Sequence, residues 1–189
     1  KCPMCPISAE SPKGKGKSTW FDFEFFKELI DYSVDKGTKA IKLNYINEPL
    51  IRNDLIKFID YAKKKGVLDI YFSTNGILLK DEISKKLINS GLTRIQISID
   101  AVTQETYNKV RPGGDLKKIL ENIDNFLKIK KELKKTTPLV RVNFVKTEFN
   151  EFELEEFIKL WEDKVDMIGI QEFIKPTKVT QKIISNKTI

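Results

Sequence analysis

Histidine is absent from the 189 residues of this chain. A Ser-His-Asp triad, a Cys-His protease, an HExxH metalloprotease and a Cys2His2 zinc finger each need an imidazole as a base or a ligand. The composition therefore excludes all four classes. Any chemistry must come from a cofactor, from carboxylates or from lysine.

Cysteine is nearly absent too, since the chain holds only Cys2 and Cys5. With two residues between them, both sulfurs can point into one turn and bind a soft metal ion or part of an iron–sulfur cluster. A structural zinc site needs four ligands, and too few acidic residues lie nearby to complete one. Two interpretations remain open: a redox dithiol, or a metal site whose missing ligand precedes Lys1. We favour the second.

The chain also lacks a long apolar run and a signal-peptide pattern. We therefore expect a cytoplasmic protein with no membrane partner. The formal net charge of +7 could favour an anionic partner. However, many lysines fall in stretches such as 63–65 and 128–135, which are expected to be solvated helix faces. We expect no nucleic-acid partner, and the length favours a single domain.

Helical and strand patterns alternate along the chain. Capping-box spacing at Thr19 and Asp22 predicts the start of a first helix that ends at Gly37. Its apolar residues at helical intervals are Phe21, Phe25 and Leu29 with the neighbouring Phe26 and Ile30. Strands that alternate with helices of this length imply right-handed crossovers and a parallel sheet. Further helices are predicted at 51–66, 81–89, 116–134 and 153–162, and strands at 39–45, 67–73, 94–100, 139–145 and 165–172.

Polar residues recur at alternate positions of the predicted strands. A doubly wound sheet carries helices on both faces, so its strands should be almost continuously apolar. The pattern instead favours helices on one face and a polar lumen on the other, although the polar groups could also lie at strand ends or pair with one another. The functional residues are expected at the carboxyl ends of the strands, which meet in one crevice. The polar positions are Lys42, Asn44, Ser73, Asn75, Gln96, Ser98, Asp100, Arg141, Asn143 and Gln171.

The segment from Cys2 to Pro6 resembles the end of the Cys-x-x-x-Cys-x-x-Cys loop of the radical S-adenosylmethionine superfamily. The chain is most similar to the branch that often carries C-terminal SPASM cluster domains. The resemblance implies that Cys2 and Cys5 bind a [4Fe–4S] cluster, that another cysteine lies just upstream of Lys1, and that S-adenosylmethionine occupies the open iron. In the family the cluster supplies an electron, and the resulting 5′-deoxyadenosyl radical abstracts a substrate hydrogen.

Other motifs carry the same resemblance. The segment 47–50 is similar to one that meets the amino group of the methionine moiety, although Asn47 stands where the family has glycine. Arg111 resembles an arginine that pairs with the methionine carboxylate. Met4 stands where an aromatic residue is common, and its backbone is expected to meet the adenine. The implied cofactor-binding residues are Met4, Asn47, Glu48, Ser73, Asn75, Ser98, Asp100, Arg111, Asn143 and Gln171.

Each motif also has a structural explanation when it is taken alone. Glu48 before a proline could cap the next helix, Gly76 could form an ordinary turn, and Ser98 could bond a neighbouring backbone group. The order of the motifs on successive strand ends favours the functional interpretation. Asp100 or Glu172 could serve as a base, but no catalytic residue is assigned.

The sequence therefore predicts a partial (β/α)6 barrel over residues 1–175, with five strands visible and the first missing, and an extension at 176–189. We expect both ends to be truncated. The expected partners are a peptide or other small polar substrate and an electron donor such as flavodoxin or ferredoxin. The alternatives are a cluster-free barrel that binds a polar ligand and, less favoured, a thiol oxidoreductase that uses Cys2 and Cys5.

Overall fold

A computed structural model describes residues 2–3, 20–45 and 47–173. Its sheet has five parallel strands whose spatial order is their chain order, β1-β2-β3-β4-β5. Every crossover thus steps to the next strand in the same direction, as in a barrel, whereas a doubly wound sheet reverses direction at a switch point. The predicted fold is confirmed. The strands are β1 (Ala40–Lys42), β2 (Asp69–Thr74), β3 (Arg94–Ser98), β4 (Leu139–Lys146) and β5 (Met167–Glu172).

The described residues form six α-helices and two short 3-10 turns. One of the helices, the fourth, is absent from the sequence prediction, because seven residues are too few to show a helical period. The helices are α1 (Phe23–Asp35), α2 (Leu55–Lys64), α3 (Asp81–Asn89), α4 (Gln104–Val110), α5 (Leu116–Glu132) and α6 (Leu154–Trp161), and the turns are Pro49–Ile51 and Glu151–Glu153.

Helix α1 is capped by Asp22, whose carboxylate accepts a hydrogen bond from the Phe25 amide at 2.9 Å. The capping-box spacing predicts Thr19 as the cap, three residues earlier, and Thr19 lies outside the described residues. Its buried face is formed by Phe26 and Ile30, while Phe25 is exposed. Of the predicted apolar positions, Phe26 and Ile30 therefore face the core, whereas Phe21, Phe25 and Leu29 are exposed. The reason is packing: Phe26 lies against Phe58 of α2, with ring centroids 4.7 Å apart.

The region between β1 and α2 differs most from the prediction. Strand β1 ends at Lys42 instead of residue 45, and Tyr45 is exposed. The residues after Glu48 form a 3-10 turn, so α2 begins at Leu55 and Ile51 lies outside it. A proline at the start of this turn suits its first position.

The two faces of the sheet differ as the alternating pattern predicted. In β2, Ile70, Phe72 and Thr74 are buried in the core with the helices, while Tyr71 and Ser73 lie on the opposite, lumen face. Cross-strand partners on the lumen face are Lys42 with Tyr71, Tyr71 with Arg94, Ser73 with Gln96, Gln96 with Arg141, Ser98 with Asn143, Asn143 with Gly169 and Val145 with Gln171.

An ion pair lies on the lumen face at the amino ends of β2 and β3. Arg94 Nε donates to Asp69 Oδ1 at 2.9 Å, and its guanidinium stacks 4.2 Å from the centroid of the Tyr71 ring. The hydrogen bond from Arg94 lowers the pKa of the Asp69 carboxyl. Both charges are thus neutralised at this end of the lumen. None of the helices in the described ranges is long and apolar enough to cross a membrane.

Candidate functional site

Glu48 connects the turn after β1 to the end of β2. Its Oε1 accepts hydrogen bonds from the Thr74 hydroxyl at 2.7 Å and the Leu50 amide at 3.1 Å, and Oε2 accepts from the Asn75 amide at 2.8 Å. Through the bond to Leu50, Glu48 caps the 3-10 turn that follows it, as the structural explanation of this residue expects. A carboxylate has about four acceptor positions, so roughly one remains for an ammonium group.

The side chain of Asn44 continues the hydrogen bonding of β1 beyond the strand. Its Nδ2 donates to the carbonyls of Ser73 at 2.9 Å and Asn47 at 3.0 Å, and its Oδ1 accepts from the Ser73 amide at 2.9 Å. The Ser73 hydroxyl donates to Gln96 Oε1 at 3.1 Å. The Asn75 Oδ1 accepts from the Ile77 amide at 2.9 Å. These side chains hold the strand ends in place.

Asp100 follows β3 and is fully buried. Its Oδ2 accepts from Arg111 Nε, and its Oδ1 accepts from the Val145 amide at 2.7 Å. The side chain is 0% exposed, and its φ of 63° lies in the left-handed region, which is uncommon for a residue other than glycine. On the other side of the guanidinium, Arg111 Nη1 lies 4.0 Å from Cys2 Sγ.

The guanidinium of Arg111 is held in its charged form. Burial acts to lower its pKa, but the Asp100 carboxylate beside it outweighs this, and the pKa lies above its usual value. Tyr107 of α4 is buried in the same region, and burial raises the pKa of its phenol. Cys2 thus lies beside a buried positive charge, which suits a thiolate ligand.

Two residues that support this arrangement are absent from the sequence prediction. The Asn150 amide group donates to the carbonyls of Asp100 at 2.8 Å and Val145 at 2.9 Å, while its oxygen accepts from the Thr147 amide at 2.7 Å. Glu153 accepts from the Thr103 hydroxyl at 2.5 Å, at the start of α4. Both residues are buried. Neither gives a sequence signal, because each acts on a segment about 50 residues away.

Arg141 and Asn143 lie side by side on the lumen face of β4. Their side chains pass over Gly169 of β5, where an added Cβ would lie 2.2 Å from Arg141 Nη2 and 2.5 Å from Asn143 Oδ1. Arg141 Nε and Asn143 Oδ1 are buried and have no hydrogen-bond partner among the described residues. Both atoms lie against Gly169 beyond the reach of solvent, so a ligand in the lumen would have to turn these side chains to pair with them.

Two cavities border the carboxyl ends of the strands. One of about 410 Å³ lies near Cys2 and is lined by Pro3, Lys109, Lys146, Phe149 and Glu172, among others. The other, of about 730 Å³, lies beside β1 and is mostly apolar. The first cavity adjoins the cysteine segment through Pro3, whereas the predicted cofactor-binding residues Asn47 and Glu48 line the second.

The remaining predicted positions are exposed, on the lumen face or outside the described residues. Asn47 and Gln171 are exposed, and Ser98 lies opposite Asn143 on the lumen face. Met4 and Cys5 fall outside the described residues, as does Thr19. Within the described part of the chain, no three Cys, Asp or Glu side chains form a group that could hold a metal ion. The assignment of Cys2 and Cys5 as cluster ligands therefore stays a prediction.

Comparison with known sequences adds a family and several relatives. The model of the Radical SAM superfamily matches residues 1–160. GTP 3′,8-cyclase of Alkaliphilus oremlandii is 31% identical over 195 residues, which cover 100% of this chain and 58% of that protein. Probable GTP 3′,8-cyclase of Methanocaldococcus jannaschii is 33% identical over 142 residues, which cover 75% of this chain and 45% of that protein. The chain spans about half the length of these curated relatives.

Comparison with solved structures supports the fold. Streptococcus suis SuiB bound to S-adenosylmethionine has a TM-score of 0.68 at 17% identity, over 95% of this chain and 39% of that one. Methylornithine synthase (PylB) has a TM-score of 0.67 at 15% identity, over 92% of this chain and 50% of that one. SuiB was also crystallised with the precursor peptide SuiA. At these identities the likeness shows the fold alone.

Proposed function

The chain belongs to the radical SAM superfamily, and from that premise we propose that it is the cluster- and cofactor-binding core of an enzyme that abstracts hydrogen from a phosphorylated nucleotide. The cofactors of this superfamily are a [4Fe–4S] cluster and S-adenosylmethionine. When bound, they supply a 5′-deoxyadenosyl radical. The observation that carries the substrate proposal is the guanidinium of Arg141, which lies on the lumen face and forms no ion pair among the described residues.

The residues near Cys2 fit the cofactors. Cys2 and Cys5 would bind the cluster, and the positive charge of Arg111 would favour the thiolate of Cys2 and the carboxylate of the methionine moiety. Glu48 would accept a hydrogen bond from the methionine ammonium at its remaining acceptor position. Lys146 and Phe149 line the adjoining cavity and would contact the cofactor or the substrate.

The lumen supports a phosphorylated substrate in preference to a peptide. Of the arginines on the lumen face, Arg94 is neutralised by Asp69 and stacked on Tyr71, whereas Arg141 has a buried Nε without a partner among the described residues. A guanidinium that has no carboxylate partner is well suited to phosphate oxygens. The names of the curated relatives point to GTP as the first nucleotide to test. The predicted peptide substrate and the relation to the SPASM branch stay predictions.

GTP binding by the reconstituted protein, measured by calorimetry, tests the substrate proposal. Arg141→Gln should weaken binding by about tenfold or more, because it removes a charged hydrogen-bond donor. Arg94→Gln is the matched control, and it should leave the affinity within about twofold, since the charge of Arg94 is already paired. Equal losses in both variants, or no loss in Arg141→Gln, would overturn the proposal.

The proposed reaction needs one electron for each cofactor cleavage, and a flavodoxin or ferredoxin would supply it. This partner is tested by mixing the protein with a reduced, purified flavodoxin and recording the absorbance of the cluster near 400 nm. The absorbance should fall within a time on the order of minutes as the cluster is reduced. If the cluster forms but S-adenosylmethionine leaves its spectrum unchanged, the protein is better described as a barrel that binds a polar ligand.

A further inference from the structure

Arg111 stands between one buried carboxylate and one cysteine sulfur. Its Nε and Nη2 both contact Asp100 Oδ2, and its Nη1 is the nitrogen that lies 4.0 Å from Cys2 Sγ. The guanidinium is planar and its donors are fixed relative to one another. Once Asp100 holds two of the nitrogens, the direction of the third is determined.

The carboxylate that holds Arg111 is itself fixed from several sides. Asp100 Oδ1 accepts from the Val145 amide of β4, and the Asp100 carbonyl accepts from the Asn150 side chain. Its left-handed backbone conformation is unfavourable for most residues, and such a conformation persists when the surrounding structure determines it. These contacts fix the position of Asp100 more firmly than a surface ion pair would need.

We infer that Asp100 is a positioning residue that directs Arg111 Nη1 at the sulfur of Cys2, and that this contact sets the reduction potential of the bound cluster. Hydrogen bonds and positive charge near the sulfurs stabilise the reduced, more negative cluster and raise its potential. This inference rests on the proposed function only in taking Cys2 as a cluster ligand.

Three variants of the reconstituted protein test the inference, with the cluster potential measured by dithionite titration and electron paramagnetic resonance. Arg111→Gln removes the donor and should lower the reduction equilibrium constant about tenfold, which is about 59 mV for a one-electron couple. Arg111→Lys keeps the charge, but a single ammonium held by Asp100 does not reach the sulfur. The potential of Arg111→Lys should therefore fall, though by less than in Arg111→Gln because the positive charge remains.

Asp100→Asn tests the positioning role directly. It should change the potential by different amounts in the native and Arg111→Gln backgrounds, because only the direct effect of the lost carboxylate charge remains once Arg111 is replaced. The matched control is the ion pair at the other end of the lumen, where Arg94→Gln should leave the potential unchanged. Circular dichroism confirms which variants fold, and Arg111→Lys decides the question if Asp100→Asn does not.

The outcomes separate the two proposals. If Arg111→Lys keeps the native potential, or if the effect of Asp100→Asn is the same in both backgrounds, the positioning role is wrong while the cluster assignment stands. If the protein extended upstream of Lys1 binds no cluster at all, the proposed function is wrong. A lowered potential in both Arg111 variants, with none in Arg94→Gln, supports the inference.

Discussion

The backbone amide of Asn75 donates a hydrogen bond to the Glu48 carboxylate at 2.8 Å. This bond joins the turn after β1 to the turn after β2, two segments that follow neighbouring strands. Glu48 is therefore part of the framework of the site as well as a candidate for cofactor binding. The structural role affects the stability of the protein, and the binding role affects its affinity for the cofactor, so the two can be measured separately.

Glu48→Gln should lower both stability and affinity for S-adenosylmethionine. The amide nitrogen of glutamine faces the Asn75 amide, and two donors cannot pair, so the free energy of unfolding should fall by about 1–3 kcal/mol. The loss of charge should weaken binding of the cofactor ammonium by about tenfold. Thermal unfolding and titration of the reduced cluster's resonance spectrum measure the two effects.

Glu82→Gln is the control for this prediction, because Glu82 forms an exposed ion pair with Lys86 and lies away from the strand ends. It should change neither quantity appreciably. If Glu48→Gln loses stability but binds the cofactor as tightly as the native protein, Glu48 has only the structural role.

The sequence predicts the parts of this protein that depend on local pattern. Alternating residues such as Ile70 and Ser73 identify the two faces of the sheet, and the strand ends locate Glu48 and Asp100 in one crevice. The pattern does not reveal which side chains pair with each other. The contact between Asp100 and Arg111 depends on the course of the loop after β3 and on α4, which the period of the sequence does not show.

The same limit explains the residues that the sequence prediction missed. Asn150 bonds the carbonyl of Asp100, and Glu153 bonds the amide of Val102, both about 50 positions away along the chain. A polar residue in a loop between a strand and a helix is ordinary in sequence. Only the parallel sheet, which brings the ends of β3 and β4 together, makes these residues important.

Asn150→Ala should destabilise the fold by about 3 kcal/mol, because it leaves the buried carbonyl of Asp100 and the amide of Thr147 without their partner. Urea unfolding followed by circular dichroism measures this loss. Asn108→Ala, which removes an exposed amide that bonds only Gln104 among the described contacts, should cost less than about 0.5 kcal/mol. Similar losses in the two variants would contradict the assigned role of Asn150.

Glu153→Gln should make stability less dependent on pH. Burial acts to raise the pKa of Glu153, but hydrogen bonds from Thr103 and Val102 outweigh it and hold the pKa below its usual value. A carboxyl group whose pKa is lowered by folding stabilises the protein fully when the pH is above the pKa of the unfolded state, about 4.3. This stabilisation is lost as the pH falls through the pKa of the folded state. The difference in melting temperature between native protein and variant should be large at pH 7 and shrink below about pH 4. A constant difference would argue against this role.

Gly169→Ala should destabilise the lumen, because the new Cβ would overlap Arg141 and Asn143. Overpacking of this kind costs about 1–3 kcal/mol. In an Arg141→Ala background the cost should fall, since one of the overlapping side chains is gone. Thermal unfolding of the four proteins measures this coupling, and an equal cost in both backgrounds would show that Arg141 does not occupy the space above Gly169.

The most direct test of the assignment to cluster chemistry is anaerobic reconstitution of a protein extended upstream of Lys1, with iron and sulfide counted. About four irons per chain, lost in Cys2→Ala and Cys5→Ala, with a resonance spectrum that changes when S-adenosylmethionine is added, is the predicted result. No cluster in the native protein, or a cluster whose spectrum ignores the cofactor, would contradict the account.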